Sequence, residues 1–324
     1  MKNINAYIKS VNISLVVTLL VFLISSCNAQ EEEIGGYLFA HMTKQDYGGL
    51  YYSISKDGVK WKALNEGNRI DSLYRGHPDI AQGRNGNYYM IGFKGESEKP
   101  VLWQSNGLLS WNISKNIPEE VFLDTPGYLA NPGWLGAPKM FFDKASDQYI
   151  ICWHAQKEGT SGRERWTSMR TFYALSKDLE TFSKPARLFD FDTEADREMA
   201  TIDVIIRKND DGYFAVIKDE RWPDECETGK TIRLSYSKNL TGPYSNPTSP
   251  ITPSWFEAPA IVPGTNDAKW YLFAEQYPNR YNLFKSDSLK GKWQKPIDIK
   301  MDGVRHGCVI VLNENQYNKL LSKF

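Results

Sequence analysis

The sequence predicts an all-β chain: a five-bladed β-propeller closed by pairing of the C-terminal strand with the N-terminal blade. Three observations carry this. One phrase recurs, as "LYYSISKDGVKW" from Leu50, "WQSNGLLSW" from Trp103, "YALSKDLETF" from Tyr173, "LSYSKNLTGPY" from Leu234 and "LFKSDSLKGKW" from Leu283. Hairpin signals stand before the later copies. The first copy lacks an opening strand, while "RHGCVIVLN" at 305–313 is a strand without a unit of its own.

The phrase puts Ser55, Ser105, Ser176, Ser237 and Ser286 at equivalent positions, at irregular intervals. That spacing argues against a tight solenoid and suits units with variable loops. In one unit "TIDVIIRK" reads as a strand, "NDDG" as a turn and "YFAVIKDE" as a second strand. "TIRLSYSKNLTGPY" then supplies a third strand, a turn and a short fourth. Asp-Gly between alternating apolar runs is a strong hairpin signal. The unit before it reads "APKMFFDKASDQYIICWHA", and the one before that "HPDIAQGRNGNYYMIGF", with its turn at Asn85-Gly86. The last reads "EAPAIVPGTNDAKWYLFAEQY". Long helical periodicity is absent. Repeated four-stranded antiparallel units describe propeller blades. Joining the last strand to the first ones leaves no exposed edge. The recurrent phrase is then the outer part of each blade, and Lys56, Asp57, Lys177 and Asp178 are solvated turn residues.

The N-terminus reads as leader rather than fold. Lys2 and Lys9 precede an apolar run at 13–24 that is too short for a comfortable membrane span. "ISSC" ending at Cys27 resembles a bacterial lipobox. The expected organisation is a lipoprotein signal peptide at 1–26, a tether at 27–35 and the propeller at 36–324. A lipid on Cys27 would anchor the protein to a membrane of the bacterial envelope, at the outer membrane; the alternative is an ordinary secretory signal cut near Ala29.

Balanced charge, 39 basic against 39 acidic residues, gives no electrostatic footprint for nucleic acid. Aromatics make up 13% of the chain, which suits either a β-rich core or a surface that stacks on sugar rings. Cys152, Cys226 and Cys308 form no disulfide framework. His41, His77, His154 and His306 show no metal-binding spacing, so no zinc site built by the protein is expected.

In a propeller the first strand of each blade lines the central channel. Those strands start at "HPDI", "GAPK", "TIDV", "FEAP" and "RHGC", which supply Asp79, Lys139, Asp203, Glu257 and His306. Three carboxylates converging on one funnel shift each other's pKa and mark a functional site. Taken singly, each is a strand-end acid capping a loop. Lys218 and Glu220 end a second strand and reach the rim; Trp134 and Trp255 are candidate stacking platforms. Arg305 would clamp a substrate hydroxyl or carboxylate, or pair with a funnel acid.

With "TIDVIIRKNDDGYFAVIKDE", "LTGPY", "FEAPAIV" and "RHGCVIVL", the chain resembles glycoside hydrolase family 43 and its relatives over residues 37–313. The resemblance implies an inverting hydrolase of β-xylosides or α-L-arabinofuranosides. It implies Asp203 as the tuning carboxylate, Glu257 as general acid and His306 as the channel-floor histidine, near which relatives hold a metal ion; a calcium ion in the channel is the cofactor it allows. Where the family writes Arg-Asp-Pro, this chain has Gly76-His77-Pro78-Asp79. Asp79 is expected as the base, with His77 its competitor or a substrate contact. Base and acid should flank the bond at roughly 6.5–9.5 Å, with Glu257 held protonated by Trp255, Phe256, Ala258 and Asp203. Bulky loops at 155–171 and 221–230 would wall a pocket, pointing to exo action on a plant or algal oligo- or polysaccharide. Two alternatives stand: a related propeller hydrolase of another sugar in which His77 participates, and a non-catalytic carbohydrate-binding surface lipoprotein.

Overall fold

The computed structural model describes residues 33–129, 136–265, 267–278 and 280–324. These form five small antiparallel sheets. Blade I consists, from the axis outward, of Val304–Leu312, Gly36–Thr43, Tyr51–Ser55 and Lys62–Ala63. Blade II begins at Ala81–Gln82 and continues through Tyr88–Lys94, Val101–Ser105 and Asn112–Asn116. Blade III is Lys139–Asp143, Gln148–Lys157, Arg170–Ser176 and Ala186–Arg187. Blade IV is Thr201–Asn209, Gly212–Asp219 and Ile232–Ser237. Blade V is Phe256–Pro263, Trp270–Gln276, Arg280–Ser286 and Ile297–Asp298.

The core lies in the seams between blades. Five apolar clusters each mix side chains of two neighbours. Tyr89 and Phe93 of blade II meet Phe142 and Trp153 of blade III. Ile150 and Cys152 of blade III meet Ile206 and Ala215 of blade IV. Phe214 and Val216 meet Leu272 and Phe284, and Phe273 and Tyr281 meet Phe39 and Val309. The last cluster, Tyr52 and Cys308 with Met90 and Trp103, completes the ring. Burial of one such side chain is worth about 1.5–3 kcal/mol, so each seam binds its blades chiefly by the hydrophobic effect.

Closure occurs as the sequence predicts. The strand at 304–312 pairs antiparallel with the one at 36–43, from Gly36 opposite Leu312 to Thr43 opposite Val304. The recurrent phrase is a hydrogen-bonded turn. In blade I Ser55 Oγ accepts the Gly58 N–H at 2.9 Å, and Asp57 Oδ1 accepts those of Val59 and Lys60 at 2.8 Å. Blade III repeats this with Ser176 on Leu179 and Asp178 on Glu180 and Thr181, all at 2.8 Å. Asp57 and Asp178 are exposed.

Two expectations need correction. Blade IV has no regular fourth strand. The backbone N–H groups of its outer run reach the third strand at Ser245, Thr248 and Ile251, without a regular ladder, because Pro247 and Pro250 interrupt it and cannot donate. A C-terminal helix, Glu314–Lys323, also follows the closing strand. Asn313 and Gln316 form its capping box, and Leu320 is buried in the seam between blades I and II.

Asp143 ties blade III to blade IV. It is fully buried at the end of its strand and accepts from Ser146 N–H at 2.8 Å and Tyr213 O–H at 2.9 Å. Burial pushes its pKa up, but these bonds outweigh burial and hold it at about 2, against 3.8 when unfolded. A depressed carboxylate stabilises the fold above its unfolded pKa and loses that contribution as pH falls through its folded one. Asp143→Asn is therefore expected to lower the urea midpoint at neutral pH and to flatten the acid loss between about pH 4 and pH 2. Parallel midpoints for the two proteins over that window would contradict this account.

Candidate active site

The innermost strands begin with irregular backbone. In blade IV the register shifts between Ile202 and Ile205, and Asp203 adopts a φ of 50°. In blade V it shifts between Glu257 and Ala260, with Ala258 at 45° and Trp255 at 71°. Bulges re-aim side chains that a regular pleat would point sideways. Left-handed backbone at non-glycine residues costs on the order of 1–3 kcal/mol each; Asp203 is one such residue, and Trp255 and Ala258 bracket Glu257.

These strand starts open into a cavity of about 960 Å³. His77, Asp203, Glu257 and His306 line it, as the sequence predicts. Lys218, Glu220, Trp255 and Arg305 line it too. Trp134 and Cys27 lie outside the described residues.

Asp79 is the exception, and its assignment as base is corrected. It is buried but does not line the cavity, and its Oδ2 accepts the Met140 N–H at 2.8 Å, bracing blade II against blade III. Residues 77–80 are not in a strand, so the alternation that placed 77 and 79 on one face does not operate there. His77 faces the cavity instead, with Nε2 3.3 Å from the Tyr47 hydroxyl and its ring centroid 4.8 Å from that of His306. Burial, with His306 and Lys139 adding to it, lowers the His77 pKa well below 6.5.

Glu257 also differs from expectation. His306 Nε2 lies 3.0 Å from its Oε1, Arg305 Nη2 at 3.3 Å and Lys218 Nζ 3.9 Å from its Oε2. Burial raises its pKa, but these cations outweigh burial and hold it at about 2. Without substrate Glu257 is therefore a carboxylate, not the protonated acid its apolar neighbours suggest. Burial lowers the His306 pKa, and Glu257, Glu275 and Asp203 more than reverse this.

Glu275 escaped the sequence reading. It is fully buried, faces Glu257 directly across the blade V hairpin, ion-pairs with Arg305 and accepts the His306 N–H at 3.2 Å. Burial, and then Glu257, raise its pKa to about 7, against the pull of His306 and Arg305. The only advance signal was an acid one residue before a strand end, opposite another acid. Tyr47, Trp222, Lys230 and Tyr277 were also missed; all come from loops or loop ends.

The calcium ion that the fold allows is not matched by these side chains. Calcium takes roughly six to eight oxygen ligands. Among the described residues two donor groups come together: His77, Asp203 and His306, two imidazoles to one carboxylate, and Glu257, Glu275 and His306. The carboxylates of Glu257 and Glu275 are already engaged by Arg305.

Residues 77–318 match a family described as "Probable glycosyl hydrolase domain", related to glycoside hydrolase family 43. The chain belongs to that family. No curated protein matches it in sequence. Among solved structures this glycosyl hydrolase domain is similar to an exo-β-1,3-galactanase from Clostridium thermocellum: 16% identity, TM-score 0.50, covering 75% of this chain and 51% of that one. It is similar as well to an exo-β-1,3-galactanase from Phanerochaete chrysosporium solved with β-1,3-galactotriose, at 16% identity and TM-score 0.48 over 75% and 53% of the two chains. An α-L-arabinofuranosidase from Podospora anserina in complex with cellotriose gives 13%, 0.47, 70% and 69%. The chain thus spans about half the length of the galactanases it matches. At these identities the likeness is one of fold, the five-bladed propeller.

Within the cavity wall, Lys218 and Lys230 share one partner. Both ion-pair with Glu220, and all three are buried. Burial lowers both lysines to about 8, with Glu257 opposing. Removing one partner of a buried pair costs about 3–5 kcal/mol. Glu220→Gln is expected to destabilise the family domain by that order in urea unfolding, with Lys230→Met restoring part of it. A Glu220→Gln variant as stable as the parent would show that the cluster is solvated.

Proposed function

We propose that the protein is an inverting, exo-acting glycoside hydrolase that removes terminal sugars from a plant or algal polysaccharide. One observation carries the reading: a single cavity gathers Glu257, Asp203 and His77 from three blades, beside the aromatic faces of Trp222, Trp255 and Tyr277. Trp255 and Tyr277 are 44% and 51% exposed, unusual for large aromatics and suited to stacking on a sugar ring. Arg165 and Trp166 from one long loop, and Trp222 and Lys230 from the other, wall the cavity, which favours action at chain ends.

Glu257 is assigned to protonate the leaving oxygen, delivering a proton it takes up from His306, whose Nε2 lies 3.0 Å from its Oε1. It stands at the cavity edge, with Lys218 and Arg305 fixing its two oxygens. The attacking water is assigned to the opposite wall, held by Asp203 and by His77, which burial keeps neutral and which takes the water's proton as the anomeric carbon is attacked. Asp203 keeps its orientation through the Ala258 N–H, 3.2 Å from Oδ2. No carboxylate at position 79 takes part. The sugar is proposed to be β-D-xylose or α-L-arabinofuranose, with β-D-galactose the alternative because the similar structure from Clostridium thermocellum is an exo-β-1,3-galactanase. Attachment to the bacterial envelope through Cys27 belongs to the same proposal and rests on residues 1–27 alone.

The test is turnover of 4-nitrophenyl β-D-xyloside, α-L-arabinofuranoside and β-D-galactoside, with the anomer of the first product read by NMR. Glu257→Gln is expected to lower kcat/KM by about 10²–10⁴ with an unchanged circular dichroism spectrum. Asp79→Asn, if it folds, should keep most of its activity. Full activity in Glu257→Gln would end the assignment. Sugar binding without turnover in the parent protein would favour the carbohydrate-binding reading.

A further inference from the structure

The cavity wall beside the assigned acid carries excess positive charge. Lys218 and Lys230, both buried, share the single carboxylate of Glu220. Arg165 lines the same cavity and is half-buried. Its guanidinium makes no ion pair among the described residues, and its Nε has no hydrogen-bond acceptor. The wall built from blades III and IV therefore sets three cations against one acid. We propose that it is a subsite for an oxyanion, a carboxylate or a sulfate ester, on the sugar from which the terminal residue is cleaved.

The two wall loops are fastened to each other, which brings Arg165 to the lysines. Arg163 of the first loop ion-pairs with Asp224 and Glu225 of the second and lies over the Trp222 ring, 4.4 Å from its centroid. Lys230 lies over the same ring at 4.5 Å. Asp224 and Glu225 are exposed, spent on Arg163 and absent from the cavity lining, so they do not balance the wall. The acids Glu96 and Glu98 do line the cavity, but they are exposed and belong to a loop of blade II.

The chemistry of these groups selects the ligand. A guanidinium offers donors only and stays charged at any working pH. A sugar hydroxyl could accept one of its bonds but would leave the charge of the wall unbalanced. A carboxylate or sulfate accepts from the planar fork at two oxygens and neutralises it. Position selects the part of the substrate. Lys218 Nζ is 3.9 Å from Glu257 Oε2, so the basic wall begins beside the group assigned to protonate the leaving oxygen. It adjoins the leaving sugar rather than the attacking water, which is assigned to His77 and Asp203. The inference thus rests on the hydrolase reading and specifies its substrate: a terminal sugar carried by an acidic polysaccharide.

The experiment uses the full-length protein and three disaccharides. Each carries the terminal sugar that turns over as its nitrophenyl glycoside, joined to D-glucose, D-glucuronic acid or D-glucose 6-sulfate. The expected result is a kcat/KM about 10–100-fold higher for an anionic compound than for the glucose one, the worth of a hydrogen bond to a charged group, with the difference in KM. Whichever anion is preferred identifies the group. Arg165→Gln should erase the preference by raising KM for the anionic compound and leave the glucose compound unchanged; a merely structural role would slow all three alike. Arg165→Lys, which keeps the charge but not the fork, should recover part of it. Lys230→Met, which leaves Glu220 its pair with Lys218, should weaken the preference too. Equal turnover of the three, or a preference that survives Arg165→Gln, overturns the subsite. Calorimetry with D-glucuronate, D-glucose 6-sulfate and D-glucose separates the two readings. Binding of either anion that depends on Arg165, in a protein that hydrolyses nothing, sinks only the hydrolase; turnover with no preference for an anion sinks only the subsite.

Discussion

The structure depends on one electrostatic compromise. Glu257 and Glu275 face each other on adjacent strands of blade V, an arrangement of like charges that is destabilising by itself. It is tolerated because Arg305 and His306 insert between them from the neighbouring blade. Those two residues lie on the strand that closes the ring. Closure of the fold and neutralisation of the site are thus one event. A propeller closed by apolar contacts alone would leave two acids unpaired in a wall of low dielectric, where an uncompensated charge is costly.

The same economy appears at the strand starts. The left-handed residues Asp203, Trp255 and Ala258 concentrate strain where the blades approach the axis. Packing in the five seams overdetermines those positions, and the bulges turn Asp203 and Glu257 into the cavity rather than into a seam. Rigid blades hold the charged residues, and loops such as those of Trp166 and Trp222 supply the walls. That division fits a scaffold able to change substrate without changing its core.

Much of this was legible in the sequence because it follows short periods. The recurrent phrase gave the blades, Asn85-Gly86 and Asp211-Gly212 gave hairpins, and the orphan strand at 305–313 gave the closure. Asp203, Glu257, Lys218, Arg305 and His306 fell in the cavity because equivalent blade positions bring those strand ends to the axis, although the bulges that turn Asp203 and Glu257 inward leave no mark in the residue pattern. Asp79 failed for a definite reason: the alternation was applied across a segment that makes no ladder. Glu275 was invisible because its meaning lies in a cross-strand partner eighteen positions away. The missing fourth strand of blade IV was overridden by two prolines, and Lys230 enters only through the return of a loop that bonds to Asp219.

The strand at 304–312 is synthesised after every other blade, yet it is the innermost strand of the first. Until it emerges, blade I has an uncovered inner edge at residues 36–43 and its seams with blades II and V lack their axial side chains. Blades II to IV by contrast have all the side chains of their mutual seams present before that strand is made. Arg305 and His306 arrive last. A nascent chain therefore carries Glu257 and Glu275 before Arg305 and His306 reach them, with Lys218 alone already near Glu257, and the charge balance of the site is completed at the final step of assembly.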